Sequence, residues 1–137
     1  MQFNRRQMLG GAAAGVTSLA LPSIVRAQAA SAHVVVIGGG FGGATAARYL
    51  RQLAPQLRVT LVEPAARFYT CPFSNLYLAG LRSWESIGHS YDGLRKAGVH
   101  VVHARADHVL TDTRRVLLSN GQALSYDKLV LSPGIDM

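Results

Sequence analysis

The 137-residue chain reads as an α/β domain, a parallel sheet built on a βαβ unit that carries a small antiparallel β-meander. Three observations predict this. A β-branched apolar run at 33–37 leads straight into a cluster of glycines. A helical period follows at 43–53, and a second apolar run at 57–62 completes strand, helix, strand within about 30 residues. After residue 107 the pattern changes to short strands separated by turn residues, as a meander requires.

The elements follow in order. Residues 1–29 read as an export signal rather than as part of the fold. Arg5-Arg6 precedes a weakly apolar, Gly- and Ala-rich stretch from Met8 to Leu21, Pro22 breaks it, and Ala27-Gln28-Ala29 offers small residues to a peptidase. The stretch is too short and glycine-rich for a membrane span. Adjacent arginines, with Arg26 near the cleavage region, point to the twin-arginine route. Removing residues 1–29 takes away Arg5, Arg6 and Arg26 and no acid, so the formal charge falls from +7 to +4. The remainder has no lysine-rich block and no interleaving of basic and aromatic residues, which argues against a nucleic-acid partner. Without the leader, no stable membrane span is expected.

Residues 33–37 (His-Val-Val-Val-Ile) are a nearly continuous apolar run, as expected of a strand covered on both faces. In the helix at 43–53, Ala46, Ala47, Leu50 and Leu53 are spaced to face a sheet, and Pro55 ends it. A second strand covers 57–62. Residues 65–83 hold no clear period and read as a loop with about one helical turn. A helix is predicted over 84–97, ended by Gly98, with Trp84, Tyr91 and Leu94 on a core-facing side. A third parallel strand follows at 99–103. Short strands at 109–111 and 116–119 then run into Asp112-Thr113 and Asn120-Gly121, the second being a two-residue hairpin signal. The last strand, 128–131, ends in Ser132-Pro133-Gly134.

Gly38-Gly39-Gly40-Phe41-Gly42-Gly43 fits Gly-x-Gly-x-x-Gly at Gly38, Gly40 and Gly43. Alone the pattern is weak, but here it follows a buried-type strand, opens a helix and precedes a strand ending in an acid. Those are the marks of a Rossmann-like dinucleotide site. Gly38 permits the turn, Gly40 lets the backbone approach a pyrophosphate, and Gly43 lets helix and strand pack closely. The helix start offers unpaired N–H groups to the phosphates. Glu63, 20 residues beyond Gly43, is placed to accept from ribose hydroxyls and to repel a 2′-phosphate.

Three further stretches carry a resemblance. The segment 123–134, ending Lys128-Leu129-Val130-Leu131-Ser132-Pro133-Gly134, resembles the second FAD motif of two-dinucleotide-domain flavoproteins, where the chain passes the flavin. Those proteins usually end this strand near Ala-Thr-Gly, so Ser-Pro-Gly is a departure. In the same family a residue matching Ala106 contacts adenine through its backbone. Tyr69-Thr70-Cys71-Pro72-Phe73-Ser74-Asn75 and Ser90-Tyr91-Asp92-Gly93-Leu94-Arg95, with Glu63-Pro64, resemble the flavoprotein subunit of flavocytochrome c sulfide dehydrogenase. On that resemblance 30–137 is the N-terminal, incomplete part of an FAD-binding domain, either a fragment of a longer protein or a truncated product.

The resemblance implies FAD bound at Gly38, Gly39, Gly40, Gly42, Gly43, Glu63, Ala106, Ser132, Pro133 and Gly134, and joined through Cys71 Sγ to the flavin 8α carbon. It also implies a periplasmic site, sulfide as substrate and a c-type cytochrome as electron acceptor. In that family sulfide is oxidised at a redox-active disulfide, which needs two cysteines besides the attachment residue. Cys71 is the only cysteine of these 137 residues, so no catalytic residue is expected among them. The alternatives are a sulfide or NADH:quinone reductase of the same fold, and a remnant that binds FAD without turnover. His100 and His103 sit three apart on the third strand and face opposite ways, which is wrong for a shared metal. All five histidines read as structural or surface groups.

Overall fold

A computed structural model describes residues 31–135. The export leader expected at residues 1–29 lies outside the described residues. β1 (His33–Ile37), β2 (Arg58–Val62), β5 (His100–Val102) and β9 (Lys128–Leu131) form one parallel sheet in the order β5-β2-β1-β9. Register is fixed by the apolar runs: Val35 pairs with Thr60 on one side and Leu129 on the other. Because β1 is central, its alternating valines enter two different cores. Val34 and Val36 join Ala47, Val59, Leu61, Tyr91 and Val99 beneath α1 (Phe41–Leu53). Val35 joins Val62, Ala104, Val116 and Leu118 on the opposite face. That second face is covered by the antiparallel sheet β6 (Ala106–Leu110), β7 (Arg115–Leu118) and β8 (Ala123–Ser125). The continuous apolar character of 33–37 follows from this double burial.

α1 begins two residues before its predicted start, because Phe41 and Gly42 already belong to its first turn. It ends at Leu53, ahead of Pro55. Ala47 is fully buried, but Leu53 is 79% exposed, since the last turn runs beyond the sheet's cover. The third strand is shorter than predicted and leaves His103 past its end, while its parallel pairing with β2 is as expected.

Two segments differ more. The loop at 65–83 contains a strand, β3 (Arg67–Tyr69), and a short helix, α2 (Ser74–Leu78). The helix predicted over 84–97 does not form. In its place are a 3₁₀ turn at Trp84–Ile87, a strand β4 (Gly88–Ser90) antiparallel to β3, and the short helix α3 (Asp92–Lys96). Non-local pairing with 67–69 outweighs the local helical spacing. Trp84 accordingly lies 42% exposed, stacked on Tyr69 with ring centroids 4.4 Å apart, while Tyr91 is buried.

The meander's first strand starts at Ala106, three residues earlier than predicted. The hairpin at Asn120-Gly121 has a three-residue loop instead of two. Gly121 N–H donates to Leu118 O at 2.9 Å and Leu118 N–H to Gln122 O at 2.9 Å, with Gly121 at φ 80°. That is a turn closed by a left-handed glycine bulge, the usual three-residue solution. No described helix is long and apolar enough to cross a membrane.

Candidate nucleotide site at the glycine loop

The glycine cluster occupies the turn between the carboxyl end of β1 and the start of α1, where open parallel sheets offer their ligand crevice. The chain can make this turn only with glycine at two points. Gly38 sits at φ 98°, and a Cβ there would collide with the Ser132 carbonyl. A Cβ at Gly43 would collide with the Gly38 carbonyl, so Gly43 sets how closely α1 approaches β1. Gly38 N–H donates to Val62 O at 2.9 Å, tying the turn to β2. Gly40 precedes the first helical residue with no side-chain cap, and α1 has no acid in its first turn. Its opening N–H groups are therefore left to an anion.

Glu63 lies directly under this loop. Its carboxylate accepts from Gly39 N–H at 2.7 Å through one oxygen and from Ala65 N–H at 2.9 Å through the other. Each oxygen keeps a further lone pair for an incoming hydroxyl. Beside it, His103 Nδ1 donates to the Glu63 carbonyl at 3.1 Å and its Nε2 accepts from Arg95 at 2.7 Å, which fixes the tautomer. His103 thus holds the Glu63 backbone, in keeping with a structural histidine; no group of three His, Cys, Asp or Glu suited to a metal occurs among the described residues.

The second predicted stretch comes to the same place. Ser132 N–H donates to Ile37 O at 2.8 Å, at the end of β1, and Ser132 Oγ stands 2.9 Å from where a Gly42 Cβ would be. Ser132-Pro133-Gly134 therefore passes against the glycine loop. Ala106 does not join this group; it opens β6 in the other sheet, opposite Leu118. Cys71 is exposed, two residues beyond β3. Phe68 of that strand meets Phe41 edge-on at 5.0 Å. Three residues span at most about 10 Å, so Cys71 stays within that reach of Phe68. Thr70 N–H donates to Ile87 O at 3.0 Å and Ser74 N–H to Cys71 O at 3.0 Å, anchoring the segment from both sides.

Two features were not legible as site residues in the sequence. Tyr91, read there as core, sends its hydroxyl to the Gly39 carbonyl at 3.1 Å. Tyr69, Trp84 and Tyr77 form an aromatic stack next to the Cys71 segment, with the Tyr77–Trp84 centroids 5.2 Å apart. Neither contact leaves a periodic trace, because both join residues distant in sequence.

A cavity of about 430 Å³ lined by His33, Arg58, Thr60, His100 and Ser125 lies at the other, amino-terminal end of the strands. There His33 Nδ1 donates to Ser125 O at 2.6 Å and Nε2 pairs with Thr60 Oγ1 at 2.8 Å, so both ring nitrogens are engaged within the fold.

A parallel sheet with a glycine turn, an acid at the end of the second strand and a returning strand beside the turn defines a Rossmann-like dinucleotide fold. The chain belongs to the pyridine nucleotide-disulphide oxidoreductase family, whose model matches residues 32–136. It is 69% identical over 43 residues to the sulfide dehydrogenase [flavocytochrome c] flavoprotein chain of Chlorobaculum thiosulfatiphilum, which covers 31% of this chain and 90% of that sequence. It is 36% identical over 104 residues to the sulfide-quinone reductase of Aquifex aeolicus, covering 74% of this chain and 24% of that protein. The crystal structure of the sulfide:quinone oxidoreductase from Aquifex aeolicus superposes with a TM-score of 0.72 at 33% identity, over 76% of this chain and 24% of the other. The chain thus spans about a quarter of the length of these Aquifex relatives.

Proposed function

We propose that this chain is the FAD-binding part of an exported sulfide dehydrogenase, working in the periplasm with a c-type cytochrome. Residues 1–29 serve as its twin-arginine signal, and residues 30–137 form the first part of its FAD-binding domain. The observation that carries the reading is the meeting of two distant stretches, the glycine loop and Ser132-Pro133-Gly134, at the carboxyl end of β1. The residues present fit FAD: Gly38, Gly39 and Gly43 are required by the loop's own close packing, and the start of α1 carries no side-chain cap and no acid, which leaves its N–H groups for phosphate. Gly40 and Gly42 bring backbone N–H groups to the pyrophosphate, and Glu63 accepts from the ribose. Ser132, Pro133 and Gly134 line the path toward the flavin, and Cys71 Sγ is the attachment atom.

When bound, FAD supplies the two-electron acceptance and one-electron release that connect a hydrosulfide donor to a haem acceptor. The chain's own residues bind and orient. Glu63 holds the loop while keeping acceptor capacity free, and the β3–β4 ribbon holds Cys71. No acid–base step falls to any of them, and with one cysteine in 137 residues no disulfide step does either.

The 69% identity to the flavocytochrome c flavoprotein chain favours a cytochrome acceptor. The likeness to the sulfide-quinone reductase, weaker but over more of the chain, favours a quinone as the second reading. Stopped-flow assay of the protein isolated from its own organism separates the two. Sulfide-dependent reduction of an added c-type cytochrome, at least tenfold faster than reduction of a short-chain quinone, is the expected result. The reverse order establishes the quinone reductase.

A further inference from the structure

Tyr91 stands just before α3, 52 residues from Gly39 in sequence, yet its hydroxyl reaches the Gly39 carbonyl at 3.1 Å in a buried contact. Gly39 is gripped from both sides. A Cβ there would stand 2.5 Å from Tyr91 Oη and 2.7 Å from Glu63 Cγ, while Glu63 takes the Gly39 N–H at 2.7 Å. The two contacts fix two successive peptide planes. Glu63 holds the plane between Gly38 and Gly39, and Tyr91 holds the plane between Gly39 and Gly40.

The second plane matters most. In a trans peptide the carbonyl and the following N–H point in opposite directions, and the described chain has no cis bond. Turning the Gly39 carbonyl toward Tyr91 therefore turns the Gly40 N–H away from it. This plane is flanked by glycines on both sides, so nothing in its own sterics prevents a flip. A flipped plane would aim a carbonyl where phosphate oxygens need donors.

We propose that Tyr91 is a positioning residue for the nucleotide site, holding the Gly39–Gly40 peptide so that its N–H is offered to the pyrophosphate. This rests on the reading of the glycine loop as a dinucleotide site and deepens it. The phenol is suited to the task. Burial, and secondarily the Glu63 carboxylate, push its pKa up to about 12, so it stays protonated and donating across the physiological range. Tyr91 also follows directly from β4, which pairs with the strand leading to Cys71. One side chain thus joins the phosphate loop to the Cys71 segment.

The test uses ADP and adenosine as probes on the full chain carrying Cys71→Ala, from which flavin can be washed out. Adding Tyr91→Phe removes the hydroxyl and keeps the ring. The expected result is ADP binding weakened about threefold to tenfold, the scale of one hydrogen bond, with adenosine binding within about twofold of the parent because adenosine has no phosphate to meet the Gly40 N–H. Equal ADP affinity in the two proteins would overturn the proposal. So would an equal loss for ADP and adenosine, which marks a general loosening of the fold. Failure of the parent to bind ADP at all sinks the dinucleotide reading itself, and the role of Tyr91 with it.

Discussion

At the scale of single residues, His33 shows how a neutral imidazole is built into the sheet. It sits at the start of β1, buried, with Ser125 O and Thr60 Oγ1 occupying its two nitrogens. Its pKa is lowered from 6.5, first by burial and then by the Arg58 charge. The sign of the consequence follows. As pH falls through 6.5 the unfolded imidazole takes up a proton that the folded one refuses, so the unfolded state gains stability. The protein is predicted to keep this contribution above pH 6.5 and to lose it progressively toward the lower folded pKa. Urea unfolding at steps between pH 7.5 and pH 5 checks it: His33→Gln should show a shallower loss over that window, and an unchanged slope would contradict the assignment. Single residues were legible in the sequence where one chemical need dictated them. Gly38 and Gly43 are spaced by a turn that only glycine can make, and Glu63 by the length of a βα crossover. Tyr91 was not, because hydroxyl-to-carbonyl contacts across 52 residues leave no pattern in either stretch.

At the scale of elements, the decisive contact is between α1 and β1. Gly43 allows it, since a methyl group there would strike the Gly38 carbonyl. Gly43→Ala must then push the helix off the strand, opening the core around Val36 and Ala47 and turning the loop N–H groups aside. The expected cost is about 2 kcal/mol or more of stability, comparable to overpacking elsewhere in close-packed interiors. FAD retention should fall with it. Chemical denaturation of the variant, read beside its flavin content, checks both; a variant of native stability that stays fully yellow would contradict the account. The strands and helix of the βαβ unit were readable because their periods are local and their burial is uniform. The segment 84–97 was misread for the opposite reason. Trp84, Tyr91 and Leu94 fall at helical spacing, but Gly88–Ser90 is drawn into an antiparallel pair with Arg67–Tyr69. A three-residue strand carries too little period to announce itself.

At the scale of the whole molecule, the parallel sheet works as a partition. α1 and α3 lie with one core and the meander with the other, and the carboxyl ends of β1 and β2 are left to the glycine loop and Glu63. Ser132 closes the same edge from β9. The architecture was legible almost throughout, since it depends on the order of elements and on β1 being apolar on both faces. For the candidate site, the sequence proposes the stretches that would meet a dinucleotide, and the folded chain adds that Gly38–Gly43 and Ser132 lie side by side and that Ala106 belongs to the other sheet. In the proposed reading, Cys71 is the residue that joins the flavin. It is exposed, on a segment anchored at Thr70 and Ser74, within a short span of the ring that meets the start of α1. The most direct measurement is an intact-mass spectrum of the denatured protein isolated from its own organism, run beside Cys71→Ala. A mass increase equal to FAD that disappears in the substituted protein is the expected result. An unmodified mass from folded, yellow wild-type protein would contradict it, removing Cys71 from the flavin and favouring a quinone-linked enzyme of the same fold.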